Sequence, residues 1–380
     1  MLLIEPRVQY ITERKAAKRK HGPYYPRTIT HTEAALLRLF GARGFKNIQV
    51  SGLKRMTGGA SKEQFAFWLS HDQAPEKKRY ILRMDPLEGI TETCRLREAQ
   101  VLRAVADVVP VPPVFDVDPE GEYLGQPGLL IEFVSGVTKP TDPSITGISG
   151  IGSNCGRYTD LLAPQFVENL TKIHSWTDWS NKDLSAYVIP RANTNEAALY
   201  QLNGWALTWA QDKVEPVPMI TFVENWLRDN APLCEVPCLV HCDYRLGNFM
   251  FEEPSGKITT ILDWELAHFG DFHEDIAWIL QKLFGGWNDK GEFLVCNLMP
   301  RDKFLEDYQR LSGRTINLKT LRYYEVMNAW KCAIMDLGSA IMAGQNCNSH
   351  QDLLITWVGS TGAVFLNQMV ELIRGQKHVA

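Results

Sequence analysis

Residues 238–280 read CLVHCDYRLGNFMFEEPSGKITTILDWELAHFGDFHEDIAWIL, and they gather His241, Asp243, Asn248, Asp263, Asp271 and Asp275 in one short stretch. Leu239 and Val240 close an apolar approach to a polar loop, HCDYRLGN. Two strand-like runs follow, Phe249 to Glu252 and Lys257 to Leu262, joined by Glu253-Pro254-Ser255-Gly256, whose composition favours a turn. With residue 252 facing about 258, antiparallel partners sum to about 510. Asn248 then lies opposite Leu262 or Asp263. An amide and a carboxylate therefore meet at the open end of the hairpin, with Asp243 just upstream.

That layout suits one chemistry. Mg²⁺ takes hard oxygen ligands, usually one or two from protein, with water and substrate phosphate filling the rest. Asn248 and Asp263 can supply those two. Asp243 is then free to accept a hydroxyl proton and orient the attacking oxygen, the division of labour in phosphoryl transfer from a nucleoside triphosphate. The spacing D-x4-N, then a hairpin and a further Asp, is that of the protein-kinase catalytic loop and metal-binding Asp. HCDYRLGN followed by ILDWELAHFGDFHED resembles the aminoglycoside phosphotransferase (phosphotransferase enzyme) family. The resemblance is strongest to members related to the kinase-like modules fused to some acyl-CoA dehydrogenases.

Composition sets outer limits. The chain has 380 residues, 45% apolar and 22% charged, enough for one large or two ordinary domains. A net charge of −4 gives no bulk attraction to nucleic acid. The start, MLLIEPRVQY, has no charged segment leading into a long apolar run, so no secretory leader is expected. No apolar run approaches the roughly 18 residues that span a bilayer. No membrane association is expected, and the cytosol is the expected compartment. Cys234, Cys238 and Cys242 recur every four residues, but Pro237 and the strand-like CLVH arrange them poorly for one metal, and no CxxC pair exists. They are read as small apolar residues in a reducing cell.

Along the chain, residues 1–30 read as a weakly structured, solvated arm. Arg14, Lys15, Lys18, Arg19 and Lys20 form its basic cluster, and Gly22-Pro23-Tyr24-Tyr25-Pro26 breaks any helix. Residues 31–134 read as an N-terminal nucleotide-binding lobe: a helix through Leu36 to Phe40, strands near 48–53, 65–69, 80–84, 109–115 and 129–134, and a helix over TETCRLREAQVLRAV. Between the first two strands, Gly58, Gly59 and Ser61 offer backbone N–H groups and a hydroxyl to phosphate, or else form an ordinary turn. Residues 135–380 read as a helical catalytic and substrate-binding lobe. Its Gly/Ser/Thr/Pro-rich segment 136–157 is expected at the cleft mouth, and His174 is expected to be a packed, hydrogen-bonded residue.

Within YILRM (80–84), Tyr80, Leu82 and Met84 share one strand face, and Ile81 and Arg83 the other. Arg83 is either an edge-strand arginine reaching solvent or a phosphate-gripping group. The resemblance implies the second, at the position of the kinase strand lysine, so arginine is a departure there. It implies Glu98 as its partner, although an ordinary exposed glutamate fits the helix equally well. It also makes LIEFVSG the hinge between lobes, with backbone near Glu132 and Val134 meeting the adenine edge. Met250 would pack under the base and Ile81 above it. Arg245, two residues after Asp243, is either a neutraliser of the moving phosphoryl charge or merely exposed. His241 is expected to brace the loop, and Asp271 and Asp275 to tie down its backbone N–H groups. Cys242 stands where the family usually has glycine, and Phe272 where it has proline.

The expected fold is α+β, a two-lobed protein-kinase-like architecture with an antiparallel sheet plus helix followed by a mainly helical lobe. The expected reaction moves the γ-phosphate of ATP or GTP to a hydroxyl of a small molecule. A hydroxyacyl-CoA-like compound and an antibiotic are both candidate acceptors. Glu292, Glu306, Asp307 and Glu325 are interspersed with Lys290, Arg301, Lys303 and Arg310, which disfavours a polycationic aminoglycoside. Two rivals are a metal-dependent hydrolase using His241, Asp243, Asp263, His268 and His273, and a nucleotide-binding protein without turnover. Glu325, Lys331 and Asp336 could each face substrate, and one sequence does not choose among them.

Overall fold

Alternation in the first half of the chain produces a five-stranded antiparallel sheet in the computed structural model, which describes residues 2–56, 61–147 and 150–375. Its strands are β1 (Gln49–Arg55), β2 (Glu63–His71), β3 (Ala74–Met84), β4 (Val114–Asp118) and β5 (Gly128–Glu132), in the order β1-β2-β3-β5-β4. Phe65, Phe67 and Leu69 of β2 and Tyr80, Leu82 and Met84 of β3 point to one face and pack on Leu36, Leu39 and Phe40 of helix α2 (Ile29–Ala42). Burying each such side chain is worth about 1.5–3 kcal/mol. The opposite face carries Ala66 and Ile81 and meets Ala99, Leu102 and Val105 of helix α3 (Arg95–Val105). β3 lies at the centre of the sheet, so Arg83 is no edge residue and is only 6% exposed.

The N-terminal segment departs from expectation. Residues Pro6–Lys18 form helix α1, with Pro6 at its first turn where a missing N–H costs nothing. Three residues of the basic cluster pair with specific acids. Lys15 lies 2.5 Å from Asp212, Arg19 pairs with both Glu88 and Asp212, and Arg14 pairs with Glu120. Ile11 is buried as well. The sequence shows a run of cations but not the acids they meet about 70 to 200 residues away, so a docked helix looks like a solvated arm.

The second half is mainly helical: α4 (Thr159–Ser175), α5 (Glu196–Asp212), α6 (Pro218–Asp229), α7 (His273–Ile279), α8 (Arg301–Ser312), α9 (Leu318–Ile334), α10 (Ile341–Gln345), α11 (Asp352–Ser360) and α12 (Gly362–Arg374). Short strands β6 (Cys238–Val240), β7 (Phe249–Glu252), β8 (Lys257–Ile261) and β9 (His268–Gly270) frame the central stretch. A π-helical turn, Met335–Ala340, lies between α9 and α10, and α11 and α12 meet at Thr361. A sheet-bearing half followed by a helical half makes an α+β, two-lobed kinase-like fold. No helix among the described residues is long and apolar enough to cross a membrane.

Candidate active site

The hairpin β7–β8 pairs Phe249 with Ile261 and Met250 with Thr260, then shifts by one residue at a bulge so that Glu252 faces Lys257. At its open end the Leu262 N–H donates to the Asn248 carbonyl at 2.7 Å. Asn248 and Asp263 thus flank one end of the ladder; next to the turn Glu252 faces Lys257 rather than residue 258, and the bulge between Met250 and Phe251 restores the pairing expected at the open end. Asp263 adopts φ 59, ψ 54, a left-handed conformation that costs a non-glycine residue about 1–2 kcal/mol and persists here because both neighbouring segments are pinned.

The loop 241–248 hangs between β6 and β7. Asp275, at the start of α7, accepts hydrogen bonds from His241 N at 2.7 Å, Cys242 N at 2.6 Å and His174 Nε2 at 3.0 Å. Burial alone would raise its carboxyl, but His174 and the loop donors outweigh it and hold it below the usual range. Asp271 does a different job from the one expected, because it caps His273 N and binds the His273 ring rather than the loop. His241 Nδ1 accepts from Asp243 N, so its Nε2 carries the hydrogen donated to Leu262 O at 2.9 Å. Burial lowers its pKa and favours this neutral bracing form. His174, bonded also to Tyr308 OH at 2.8 Å, is the packed residue expected.

Asp243 Oδ1 accepts from Arg245 Nε at 2.8 Å and from Trp278 Nε1 at 3.0 Å. Its Oδ2 accepts from Asn248 Nδ2 at 2.5 Å. Burial raises its pKa, with Arg245 opposing. The Asn248 amide nitrogen also donates to the Asp243 carbonyl, so that nitrogen is committed to Asp243. The side-chain oxygen of Asn248 accepts no hydrogen bond among the described residues, which leaves it as a hard ligand.

From the sheet, Arg83 places Nη1 2.7 Å from Glu98 Oε1 and Nη2 2.5 Å from Asp263 Oδ1. Glu98 is 1% exposed, so it is not a surface glutamate. Arg95 pairs with the second oxygen of Glu98 and lies 3.2 Å from Glu265. Burial would raise the Glu265 carboxyl, but Lys62, Arg95 and Arg83 pull it down to about 2. Glu265 was not singled out from sequence. The signal available was its position two residues after Asp263, on the same side of a tight turn. Trp278 was also missed, although it follows the loop anchor Asp275 by three residues on α7 and therefore shares its face.

All of this opens onto one cleft of about 780 Å³. Ser61, Ile81, Arg83, Glu132 and Val134 line it from the sheet side, and Asp243, Arg245, Asn248, Met250 and Asp263 from the other. Glu98 stands behind Arg83. Gly58 and Gly59 lie outside the described residues. At the hinge, Glu132 N and Phe133 N are bonded to Pro113 O and Arg79 O, whereas Val134 N donates to no backbone carbonyl among the described residues. The Glu132 carboxylate is 2.5 Å from Lys78. Thr138 and Ile151 of the 136–157 segment also line the cleft. Gly150 rests so closely on Leu246 O and Arg245 that any Cβ there would collide.

The residues of the hydrolase alternative do not converge. His268 binds Glu274 and Leu266 O, and His273 binds Asp271 and Asn317 N. Among the described residues the one cluster of metal-ligating type is Cys242, His268 and Glu274, all buried. Lys331 already supplies a cation there, 2.5 Å from Glu274 Oε1 and 3.1 Å from Cys242 Sγ. Cys242, at φ 62, shows why glycine suits this position. The cysteine accepts backbone strain, and its sulfur makes these buried contacts.

The fold and cleft define a kinase-like phosphotransferase class. The model of the phosphotransferase enzyme family matches residues 52–324, and the chain belongs to that family. It is 27% identical over 209 residues to acyl-CoA dehydrogenase family member 10 of Mus musculus, a match covering 53% of this chain and 18% of the mouse protein. The chain therefore spans a minor part of that relative's length. Among solved structures, one from Ralstonia eutropha, described as a candidate aminoglycoside phosphotransferase, superposes with a TM-score of 0.63 at 20% identity, covering 91% of this chain and 99% of that one. The aminoglycoside phosphotransferase APH(4)-Ia, in a ternary complex with AMP-PNP and hygromycin B, gives 0.53 at 17% identity, covering 89% and 98%. At these identities the likeness is one of fold.

Proposed function

We propose that this protein transfers the γ-phosphate of ATP, or of GTP, to a hydroxyl of a small molecule. The observation that carries the reading is the meeting of Asp243, Asn248, Asp263 and Arg83 on one cleft. Residues 31–134 would hold the nucleotide and 135–380 the catalytic loop and the acceptor. Val134 N–H and the Glu132 carbonyl meet the adenine edge, between Ile81 and Met250. Arg83, clamped by Glu98, presents a planar guanidinium suited to bidentate phosphate contact. Gly58, Gly59 and Ser61 border the phosphates.

Asn248 and Asp263 each keep a hard oxygen without a partner among the described residues, which fits Mg²⁺. The ion, when bound with nucleotide, would neutralise charge on the phosphates. Asp243 accepts the proton of the acceptor hydroxyl as that oxygen bonds to phosphorus and the nucleoside diphosphate leaves. Its burial makes it a stronger base than an exposed carboxylate. Arg245 orients Asp243 and adds positive charge beside the transferring group. The naming of a relative as an acyl-CoA dehydrogenase family member makes hydroxyacyl-CoA-like compounds the first acceptors to screen, with antibiotics second.

The test is thermal stability of the wild type and of Asp263→Asn with ATP, GTP and Mg²⁺. Metal-dependent stabilisation by a nucleotide, absent in the variant, followed by acceptor-dependent release of the diphosphate, is the expected result. No response to either nucleotide overturns the reading. A nucleotide response with no turnover across a broad acceptor panel leaves the binding-protein alternative standing.

A further inference from the structure

Among the described residues five carboxyl side chains line the cleft, and four of them hold a cation. Glu132 has Lys78, Asp243 has Arg245, Asp263 has Arg83, and Glu265 has Arg95. The fifth, Asp336, is 5% exposed and has no ion pair among the described residues. It sits on the π-helical turn Met335–Ala340, the kind of local widening that re-aims a side chain and recurs at functional sites. The charged group nearest along this turn, Asp212 of α5, reaches Ser339 but is itself neutralised by Lys15 and Arg19. Cys332, one turn earlier on α9, is bonded to Gln281. Among the described residues no neighbouring element supplies a positive charge to Asp336.

Among the described residues its side chain has one partner, Thr361, whose Oγ1 lies 2.6 Å from Asp336 Oδ2 and 2.8 Å from Val358 O. A hydroxyl has one hydrogen to give, and the Val358 carbonyl can only accept. When Asp336 carries a proton, Oδ2 donates to Thr361, Thr361 donates to Val358, and every group in the chain is satisfied. Burial pushes the Asp336 carboxyl up to about 7, so this neutral form is populated near neutrality. Oδ1 is left as an acceptor, on a residue that lines the cleft. The same cleft is lined by much hydrocarbon and aromatic surface, Leu283, Phe284, Met335, Val358 and Phe365, beside polar Gln351 and Thr361.

We propose that Asp336 determines acceptor specificity, and that the acceptor is a predominantly apolar alcohol with one further uncharged hydrogen-bond donor, a hydroxyl or an amide N–H, seated on Asp336 Oδ1. This rests on the phosphotransferase reading and names its substrate class. An apolar wall rewards a molecule that brings hydrocarbon. An acceptor atom set in largely apolar lining discriminates strongly, because a ligand that leaves it unpaired forfeits its hydrogen bond. A polycation would have to shed water against this wall and would find four of the five carboxyls already neutralised.

The experiment is calorimetric titration of the wild type, Asp336→Asn and Asp336→Leu, each loaded with AMP-PNP and Mg²⁺. The probes are decanol, decanediol, N-(hydroxyethyl)decanamide and kanamycin. The wild type is expected to bind decanediol or the amide about tenfold more tightly than decanol, the worth of one hydrogen bond. Which of the two wins distinguishes hydroxyl from amide recognition. Asp336→Asn keeps the preference, since its amide repeats the donor to Thr361 and the acceptor to the cleft. Asp336→Leu binds the three apolar probes equally. A preference that survives in Asp336→Leu, no preference in the wild type, or tightest binding by kanamycin overturns the proposal. Failure of the phosphotransferase reading shows separately, as a wild type that AMP-PNP and Mg²⁺ do not stabilise in the absence of any probe.

Discussion

Arg83 on the central strand of the sheet lies 2.5 Å from Asp263 at the mouth of the β7–β8 hairpin, 180 residues later in the chain. One guanidinium therefore joins the two halves of the molecule across the cleft, while its other nitrogen is held by Glu98. Burial opposes its charge, but Glu98, Asp263 and Glu265 together raise its pKa.

Replacing Arg83 by methionine should cost about 3–5 kcal/mol of stability, because Glu98 and Asp263 lose a buried counter-charge. Arg83→Lys should recover part of that loss yet still weaken nucleotide binding, since an ammonium cannot reach two carboxylates in the fork geometry. Urea unfolding and nucleotide titration of the two variants check both statements.

Asp243→Asn is expected to lower turnover by about 10²- to 10⁴-fold if Asp243 is the general base, with nucleotide affinity unchanged. The same variant should lose stability, because its amide nitrogen opposes a donor from which Asp243 now accepts and Arg245 loses its counter-charge. A single-turnover assay beside an unfolding curve separates the two effects.

Lys331 and Glu274 form a buried pair. Burial would raise the Glu274 carboxyl, but Lys331 and His268 bring it down to about 2. A depressed folded-state value means stability that is present above the ordinary carboxylate range and is lost as pH falls towards about 2. Lys331→Met should remove about 3–5 kcal/mol at pH 7 and flatten the loss of stability on acidification. Denaturant melts from neutral pH to about pH 3 report it.

Asp336 shows the opposite sign. Its carboxyl, raised to about 7 by burial, keeps a proton that the unfolded chain has already released. Stability therefore falls as pH rises from about 4 to about 7, by up to about 4 kcal/mol. Asp336→Asn should be the more stable protein at pH 8, and the gain should vanish near pH 4. Unfolding curves at the two pH values decide it.

The docking of α1 depends on Lys15 and Asp212, whose side chains are 1% and 0% exposed. Lys15→Met leaves Asp212 with Arg19 as its remaining cation and should cost about 3 kcal/mol. Thermal unfolding of the variant, with limited proteolysis within residues 6–18 as the local readout, measures the loss.

By itself the sequence determined whatever rests on short separations. A turn at 253–256 closes the hairpin, and its two strand runs bring Asn248 to Leu262 once a one-residue bulge is allowed for. The alternation of 80–84 sends Tyr80, Leu82 and Met84 one way and Ile81 and Arg83 the other. Those periods are properties of the backbone and need no distant partner. Tertiary structure alone decided the rest. It turned the basic cluster of residues 14–20 from a solvated arm into a docked helix, because the acids that neutralise it lie about 70 to 200 residues away. It left His241, His268 and His273 with separate partners instead of one metal. It also chose among Glu325, Lys331 and Asp336: Lys331 is consumed by Glu274, while Asp336 lines the cleft with no cation. A charge's role depends on which other charges packing brings within a few ångströms, and helix-to-helix packing is written in no local spacing.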